Sequence, residues 1–409
     1  MKRVWIFFAV VSTLFADVSL QQVIDRAAPG SKIELPSGTF AGPIRIDKPL
    51  ILIGSNKKST IAGTGQGSTV TITAPHVTLE RLTITGSGTR RDALDAAVRI
   101  ERVRDVTIRN CRIDHALFGI VAQDSDNLRF MDNHITSYDE KVVDNRGDGI
   151  RLWNCRRALI VGNRLTQSRD LSVNRSADIN ITDNRIARNR YGILLNMCHG
   201  VSATNNRIES NYVGILCKGG QNLKIKNNAI IKTHLATGIG ILLAHGKRVY
   251  VTHNILTGCA QAFYIDSSPV EIGMRRIVTY NRIVNNDTAF HFHAAIKNNT
   301  IRHNDMIGNL DDVVKDIRSA HPYNPDDNDI GYNYWDRYRG FDRNGDGIGD
   351  TPYLVLIYAD KLWQFNHHLK FFYATPVLTL LDFLERIAPF SEPILLLEDP
   401  LPKMTPNLP

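Results

Sequence analysis

Hydrophobic and polar residues alternate in short runs along most of the chain between residues 97 and 309. Each repeating unit opens with a short residue, at Ala97, Gly119, Gly149, Asp170, Gly192, Gly214 and Gly240. Fourteen residues after these openers come Cys111, Asn133, Asn163, Asn184, Asn206, Asn228 and Asn254. The next opener commonly follows eight residues later, which gives a period of 22 residues. A register this regular indicates a repeat array.

The alternation inside each unit predicts strands, because runs with a period of two and this length are too short for helices. The runs from Gly149 to Trp153 and from Gly214 to Lys218 are examples. Three short strands per unit, joined by polar turns, predict an all-β protein, a right-handed parallel β-helix of about ten coils. The recurring asparagine lies at a turn, where its amide can donate and accept hydrogen bonds along the stack. We therefore interpret the asparagine ladder as scaffold.

Both ends of the chain depart from this pattern. Two basic residues, an apolar run and Ala16 predict a signal peptide, with an uncleaved anchor as the alternative. Apolar residues at helical spacing between 19 and 28 predict a cap over the first coil, and helical spacing returns after residue 360. The predicted segments are a signal peptide at 1–16, a β-helix at 17–320, an irregular segment at 321–355 and a helical C-terminal extension at 356–409.

The composition indicates a folded protein with a large core and argues against a nucleic-acid-binding protein. The 409 residues are 43% hydrophobic, enough to bury a large core, and the formal net charge of +8 falls to +6 without Lys2 and Arg3. Basic residues are scattered among few aromatics, which disfavours nucleic-acid binding. The signal predicts an exported, soluble protein.

The five cysteines do not suggest a disulfide framework. Cys155 and Cys198 occupy equivalent positions two coils apart, and coils about 4.8 Å apart would separate them by about 9.6 Å. That distance is too long for a disulfide. We expect buried, isolated thiols, although an exported compartment would permit a bridge.

Two insertions interrupt the register, from Tyr138 to Asp148 and around Thr233-His234. Loops that leave the flanking register intact project from one edge of the coils and often carry function. Neutral drift is an equally good explanation of each.

An apolar strip is predicted on the outer surface of the middle coils. Leu194, Leu216 and Leu242 each stand two residues after an opener, so the alternation points them outward on consecutive coils. Exposed apolar patches of this kind usually have a covering segment or a partner. We expect coverage by the tail of the chain or docking of a protein.

Several imidazole and thioether side chains fall in the same part of the sequence. They are Met197, His199, His245, His291 and His293. These ligands suit copper, and thioether suits the reduced ion. His291 and His293 are the strongest pair, because they point outward from one strand about 7 Å apart. Each residue taken singly is more often a surface or packing residue.

A second candidate metal site follows the coils. Asp342, Asn344, Asp346 and Asp350 provide oxygen donors around glycines, as in the first nine positions of a calcium-binding loop. The glutamate expected at the twelfth position is replaced by Tyr353. Calcium completed by a ligand from elsewhere and a simple Asp/Gly turn are equal alternatives.

An enzymatic role is the weaker hypothesis. Glycan-cleaving enzymes need paired carboxylates, or basic residues beside acids, on one outward sheet. The outward strand positions of the coils contain no stacked acids. We therefore predict no catalytic residues, and a secreted polysaccharide-binding or polysaccharide-cleaving β-helix remains the rival.

Several segments together resemble the NosD family of copper-site maturation proteins. The coil motifs are Ala-Leu-Phe-Gly-Ile (116–120), Gly-Asp-Gly-Ile-Arg-Leu-Trp-Asn (147–154) and Arg-Tyr-Gly-Ile (190–193). The others are Asn-Tyr-Trp-Asp (333–336), the Asp/Gly loop through Tyr353 (342–353) and Leu-Leu-Asp-Phe-Leu-Glu-Arg-Ile-Ala-Pro-Phe (380–390). The coil motifs are one module, Asn-Tyr-Trp-Asp with the Asp/Gly loop is the second, and residues 380–390 are the third. Many β-helices share the coil motifs, whereas the third module and the order of all three are specific to the family.

The resemblance implies a non-catalytic periplasmic protein that works with the permease and ATPase of a membrane ABC transporter. It would accept copper transiently from a membrane-anchored lipoprotein chaperone and help to load nitrous oxide reductase. The coil face would bind a client, and the terminal helix, with Leu381, Phe383 and Leu384, would dock on the transporter. Met197 stands one place away from the methionine of the family's Tyr-Met-Tyr-Ser-like run, which would change its facing.

Overall fold

Three ladders of parallel strands, with one strand of each ladder in every coil, form the body of the protein. The computed structural model describes residues 18–233, 238–266, 273–316, 323–357, 380, 384 and 394–407. Two ladders join into a sheet of 24 strands and the third forms a sheet of 13 strands. This architecture confirms the predicted parallel β-helix, with more coils than the approximately ten expected. The additional coils come from the less regular segments before residue 97 and after residue 309.

The strands of each ladder pair in parallel with the equivalent strands one coil away. The first ladder contains Ile44–Ile46, Val70–Ile72, Ala96–Glu101, Phe118–Gln123, Ile150–Trp153, Asp170–Asn174, Tyr191–His199, the start of Val213–Lys226, Ile239–Ala244, Gln261–Asp266, Thr288–Phe292 and Asp311–Lys315. The second contains Ser31–Leu35, Leu50–Gly54, Val77–Glu80, Arg104–Arg109, Asp126–Met131, Arg156–Val161, Ala177–Thr182, Ser202–Thr204, the end of Val213–Lys226, Lys247–Thr252, Arg276–Thr279, Asn299–Arg302 and Asp329–Gly331. The third contains Gly38–Ala41, Ser59–Ala62, Leu82–Thr85, Arg112–Asp114, His134–Ile135, Arg164–Thr166, Arg185–Ala187, Arg207–Glu209, Ala229–Ile231, Ile255–Thr257, Arg282–Val284, Asp305–Ile307 and Tyr334–Trp335.

The buried asparagines form a continuous hydrogen-bonded ladder, as the sequence predicts. Asn184 donates its backbone N–H and its side-chain Nδ2 to Oδ1 of Asn206, at 3.0 and 2.9 Å, and the same pair of bonds recurs from coil to coil. The ladder ends on the buried carboxylate of Asp399, which accepts both donors of Asn333 and the indole N–H of Trp335. Burial raises the pKa of Asp399, although these hydrogen bonds oppose the rise.

The N-terminal end is closed by the helix Leu20–Arg26, which confirms the predicted cap. Ser19 and Gln22 form a capping box at its start, and Leu20 and Ile24 are buried against the first coils. The predicted signal peptide at 1–16 lies outside the described residues. Two short 3-10 helices, Val143–Asn145 and Pro325–Asp327, lie in loops.

The C-terminal part differs from the prediction in two ways. The solenoid continues past residue 320, since Asp329–Gly331 and Tyr334–Trp335 form a further coil. Within the predicted helical extension, Ile394–Asp399 is a strand that pairs antiparallel with Tyr353–Ile357. A short continuous apolar run, Ile394 to Leu397, with a proline on either side of the strand is consistent with a buried strand there. In the described part of the chain, no helix is long and apolar enough to cross a membrane.

The first insertion packs back onto the coils. Tyr138 contacts a small apolar cluster that includes Val121 and Phe118, and its hydroxyl donates to the carbonyl of Ser87. Val121 is consequently buried, although the alternation points it outward. All five cysteines are buried and free, which confirms the prediction of isolated thiols.

Candidate functional site

The predicted apolar strip lies on the outer side of the first ladder and continues into two aromatic residues. Leu194, Leu216, Leu242, Tyr264 and His291 pair in register on five consecutive coils. The three leucines are less exposed than the sequence suggests, and Leu216 is only 9% exposed because its neighbours in the row cover it on both sides. The strip is therefore a partly buried apolar row that leads to the imidazole of His291.

His291 on the strand Thr288–Phe292 and His293, one residue beyond the end of that strand, converge on a single carboxylate. Asp316 Oδ1 lies 3.2 Å from His291 Nε2, and Asp316 Oδ2 lies 2.8 Å from His293 Nδ1. The His291 side chain is 15% exposed, whereas those of His293 and Asp316 are 48% and 43% exposed. The carboxylate orients both rings and places negative charge beside them, which favours a bound cation.

Tyr264 completes this group, which we call the histidine cluster (Tyr264, His291, His293 and Asp316). The tyrosine ring lies 4.9 Å from the ring of His291 and 6.1 Å from that of His293. Burial raises the pKa of Tyr264 to about 12, and the charges of Asp316 and Asp266 act in the same direction. The phenol therefore stays neutral, and the negative charge of the cluster resides on the carboxylate of Asp316.

The histidine cluster does not form a complete metal cage. Among the described residues, no group of three or more His, Cys, Asp or Glu side chains is placed to hold a metal ion. The thiols offer no alternative, because burial raises the pKa of Cys155 and of Cys198 to about 11. Copper held here would have the two imidazoles as its main ligands, after the carboxylate yields one or both ring nitrogens.

Met197 and His199 lie in a different place, an open cleft of about 320 Å³ where the first and second ladders meet. We call it the basic cleft; it is lined by Asn154, Arg156, Arg175, Ser176, Ala177, Met197 and His199. Met197 is 62% exposed. Two guanidinium groups line the same cleft, so a metal cation between them is disfavoured by like charge.

His245 joins neither group. It belongs to the coil beyond Gly219, since Lys218 pairs with Ala244 in the first ladder. Gly219 stands between Met197 and His245 along the stack. A Cβ atom built on Gly219 would lie 3.8 Å from Cγ of Met197, so Met197 packs against the coil of Gly219 and His245 belongs to the coil after it. The copper candidates therefore divide into the histidine cluster, the basic cleft and His245 on its own coil.

The Asp/Gly loop is held together by its own backbone. Asp342 accepts hydrogen bonds from the N–H groups of Gly345 and Gly347, each at 2.7 Å, and Asp346 accepts from Ile348 at 2.8 Å. Asn344 Nδ2 donates to Asp346, and Asp350 accepts from the N–H of Arg343. Calcium binding at Asp342, Asn344, Asp346 and Asp350 stays a prediction.

The C-terminal tail fastens this loop to the last coil. Gly349 donates to the carbonyl of Pro402, and Met404 donates to that of Gly347. Lys403 bridges both Tyr334 and Ile348. The loop therefore links the C-terminal tail to the last coil.

Sequence reasoning missed four residues that the structure brings into these sites. Tyr264 could have been found, because it stands two residues after an opener, in the row of Leu242. Asp316 follows the point where the register fades, so its alignment with His293 was not readable. Arg156 and Arg175 have no local signal that separates them from other exposed arginines.

Comparisons with known proteins agree with the resemblance seen in the sequence. A family model described as "Periplasmic copper-binding protein (NosD)" matches residues 136–340. A protein of Pseudomonas aeruginosa named "Probable ABC transporter binding protein NosD" is 29% identical over 378 residues, which covers 89% of this chain and 86% of that protein. A protein of the same name from Stutzerimonas stutzeri is 26% identical over 375 residues, covering 87% and 83%.

Among solved structures, a mannuronic acid specific polysaccharide family 6 lyase from human gut microbiota superposes with a TM-score of 0.50. It is 13% identical, and the match covers 77% of this chain and 84% of that one. At this identity the likeness concerns the β-helix fold alone. The family model, in contrast, spans half of the chain, and on that match this chain belongs to the NosD family, which is described as periplasmic and copper-binding.

Proposed function

We propose that this protein is a non-enzymatic periplasmic accessory protein that works with an ABC transporter and a copper chaperone to help assemble the copper centre of nitrous oxide reductase. The observation that carries the proposal is the convergence of His291 and His293 on Asp316 at the end of the leucine row. Copper is cargo in this proposal and passes over the histidine cluster.

The ligand set suits a metal that is handed on. Imidazole is a good ligand for copper, and a site with two imidazoles and one shared carboxylate binds less firmly than a closed cage. Partial exposure of His293 and Asp316 leaves the ligands accessible to a donor or an acceptor protein. Both features support a role in handing copper on rather than in storing it.

The leucine row supplies a surface for the donor or the acceptor. Leu194, Leu216 and Leu242 lie in register with Tyr264 of the cluster, so a protein seated on the row would reach the histidines. Apolar contact beside exchangeable ligands would hold two copper proteins together during transfer. The copper chaperone and nitrous oxide reductase are the partners we assign to this surface.

The segment between the last two strands is our candidate for transporter docking. The relatives from both organisms are named as ABC transporter binding proteins. Leu380 and Leu384 are helical and exposed, at 56% and 44%. Leu381 and Phe383, the other predicted docking residues, lie outside the described residues. Leu380 and Leu384 would share one face of a helix.

Copper binding is tested by anaerobic titration of the purified protein with Cu(I) against a competing chelator. His291→Ala/His293→Ala should abolish the strongest site. His253→Gln/His303→Gln is the matched control, because it also removes two imidazoles. These belong to a separate stack of His and Tyr rings at the turn between the second and third ladders. Equal affinity in the two double variants would overturn the assignment to the histidine cluster.

Docking is tested by replacing residues 358–393 with an Asn-Gly turn. Ile357 and Ile394 pair directly across the two antiparallel strands, so a two-residue turn can connect them and leave Asp399 in place. The variant should fold and bind copper but no longer copurify with the transporter from native membranes. Normal copurification would exclude this segment as the dock.

A further inference from the structure

We propose that the basic cleft binds carboxylate groups presented by an acidic segment of a partner protein. The proposal does not depend on copper, and it concerns a surface separate from the histidine cluster. It rests on the shape of the cleft, on the way one arginine is held, and on the shortage of local counter-charges.

The cleft is a notch left by a small residue. Arg156, Ala177 and His199 occupy equivalent positions on three consecutive coils of the second ladder. Arg156 and His199 therefore stand about 9.6 Å apart along the stack, with only a methyl group between them. A carboxylate can enter this gap and accept hydrogen bonds from both sides. Ser176, which is buried, lines the cleft as well.

Arg175 is held in place by an aromatic ring rather than by an acid. Its guanidinium lies 5.3 Å from the ring centre of Trp153, and that of Arg151 lies 5.7 Å from the same ring. Both contacts are cation–π interactions, which leave the hydrogen-bond donors of Arg175 available. An arginine ordered in this way loses less entropy when it binds an anion.

The charges of the cleft arginines are only partly compensated by acids. Neither Arg156 nor Arg175 forms an ion pair with any residue that the structure describes. Two acids on the neighbouring coils are already engaged: Asp126, in register with Arg156, forms its ion pair with Arg157, and Asp124 accepts a hydrogen bond from Asn154 at 2.6 Å. Arg157 holds the pKa of Asp126 below its usual range. The cleft is therefore left with a net positive charge that favours an anion.

The surroundings favour a protein over a sugar as the source of the carboxylate. Met197, at 62% exposure, forms an apolar wall, and exposed Met with Arg and Trp is the composition enriched at protein interfaces. A sugar ring would gain affinity by stacking on an open aromatic face. The face of Trp153 carries the arginines instead.

Fluorescence anisotropy with a labelled peptide of alternating glutamate and leucine tests the proposal on the full chain. Wild type should bind the peptide, and rising salt should weaken the complex. Arg156→Gln/Arg175→Gln should weaken binding about tenfold or more. Met197→Ser should weaken it less, and should not affect a peptide of alternating glutamate and serine.

Arg164→Gln/Arg185→Gln is the matched control. These two arginines are also exposed neighbours on consecutive coils, but they lie on the third ladder. The control should bind the peptide like wild type, and both variants should show the thermal unfolding of the wild type. Equal loss in the two double variants would mean nonspecific attraction and overturn the proposal. Absence of peptide binding, or tighter binding of an oligouronate than of the peptide, would overturn it as well.

Discussion

The histidine cluster and the basic cleft use the same kind of side chain in opposite electrostatic settings. In the cluster, the rings of His291 and His293 converge on the carboxylate of Asp316. In the cleft, His199 faces Arg156 and Arg175 instead. Imidazole beside an acid favours a metal cation, and imidazole beside guanidinium groups favours an anion.

The comparison shows why a ligand type alone does not define a site. Met197 and His199 are acceptable copper ligands by their chemistry, and the sequence grouped them with His291 and His293. Their neighbours lie on other coils, and those neighbours set the sign of the local field.

The largest expected effect comes from the scaffold that both surfaces share. Asp399→Ala should lower the free energy of unfolding by about 3 kcal/mol, because it leaves the buried donors of Asn333 and Trp335 without an acceptor. Urea unfolding followed by circular dichroism measures this loss. Copper and peptide binding per folded molecule should stay unchanged.

Asp399→Asn is the control for that experiment, since an amide oxygen can accept the same donors as every other asparagine of the ladder does. It should destabilise much less than the alanine variant. Equal destabilisation would mean that the charge of Asp399, and not its role as acceptor, holds the end of the ladder.

Removing the acid of the histidine cluster should weaken copper binding without touching the imidazoles. We expect Asp316→Asn to lower the Cu(I) affinity by about tenfold and Asp316→Lys by up to about 100-fold, because the carboxylate orients and polarises both rings. Chelator competition measures the affinity. An unchanged affinity in Asp316→Lys would show that copper binds elsewhere.

Trp153→Leu should release Arg175 from its ring and weaken the binding of the acidic peptide. A cation–π contact is worth about 1 kcal/mol at such a site, so we expect about a fivefold loss. Anisotropy measures it. In the Arg156→Gln/Arg175→Gln background the same change should have no further effect, and additive losses would contradict the positioning role.

The smallest effect concerns a buried acid one coil beyond His291. Burial raises the pKa of Asp312, whose Oδ2 accepts a hydrogen bond from the hydroxyl of Tyr353 at 2.5 Å. The folded state therefore binds a proton at Asp312 more tightly than the unfolded state does. The stability that this protonation contributes is present at low pH and is lost as the pH rises through the raised pKa.

Asp312→Asn should accordingly raise the Tm relative to wild type by a few degrees at pH 7.5, and the difference should shrink at pH 4.5. Thermal unfolding at the two pH values measures it. Asp326→Asn is the control, because Asp326 is exposed on a short 3-10 helix and lacks this burial. A Tm difference between Asp312→Asn and wild type that is the same at both pH values would contradict the raised pKa of Asp312.

Most of the fold could be predicted because it depends on a local pattern repeated along the chain. Each coil carries its own alternation and its own asparagine, and stacking follows from the equal spacing. The buried cysteines and the N-terminal helix were predictable on the same grounds. The burial of Val121 was not, because it depends on a loop that folds back over a neighbouring coil.

The candidate sites were predictable only in part. The sequence placed His291 and His293 on the outer side of one strand, and in the structure His293 lies one residue beyond the end of that strand. Asp316 reaches them from the next coil, and Asp399 closes the ladder on Asn333 from 66 residues away.

The sequence by itself therefore determined the register, the scaffold and the direction of most side chains, since these depend on spacing within one coil. Only the tertiary structure decided which charges stand beside each histidine. Those contacts join residues that are separated along the chain and adjacent along the stack.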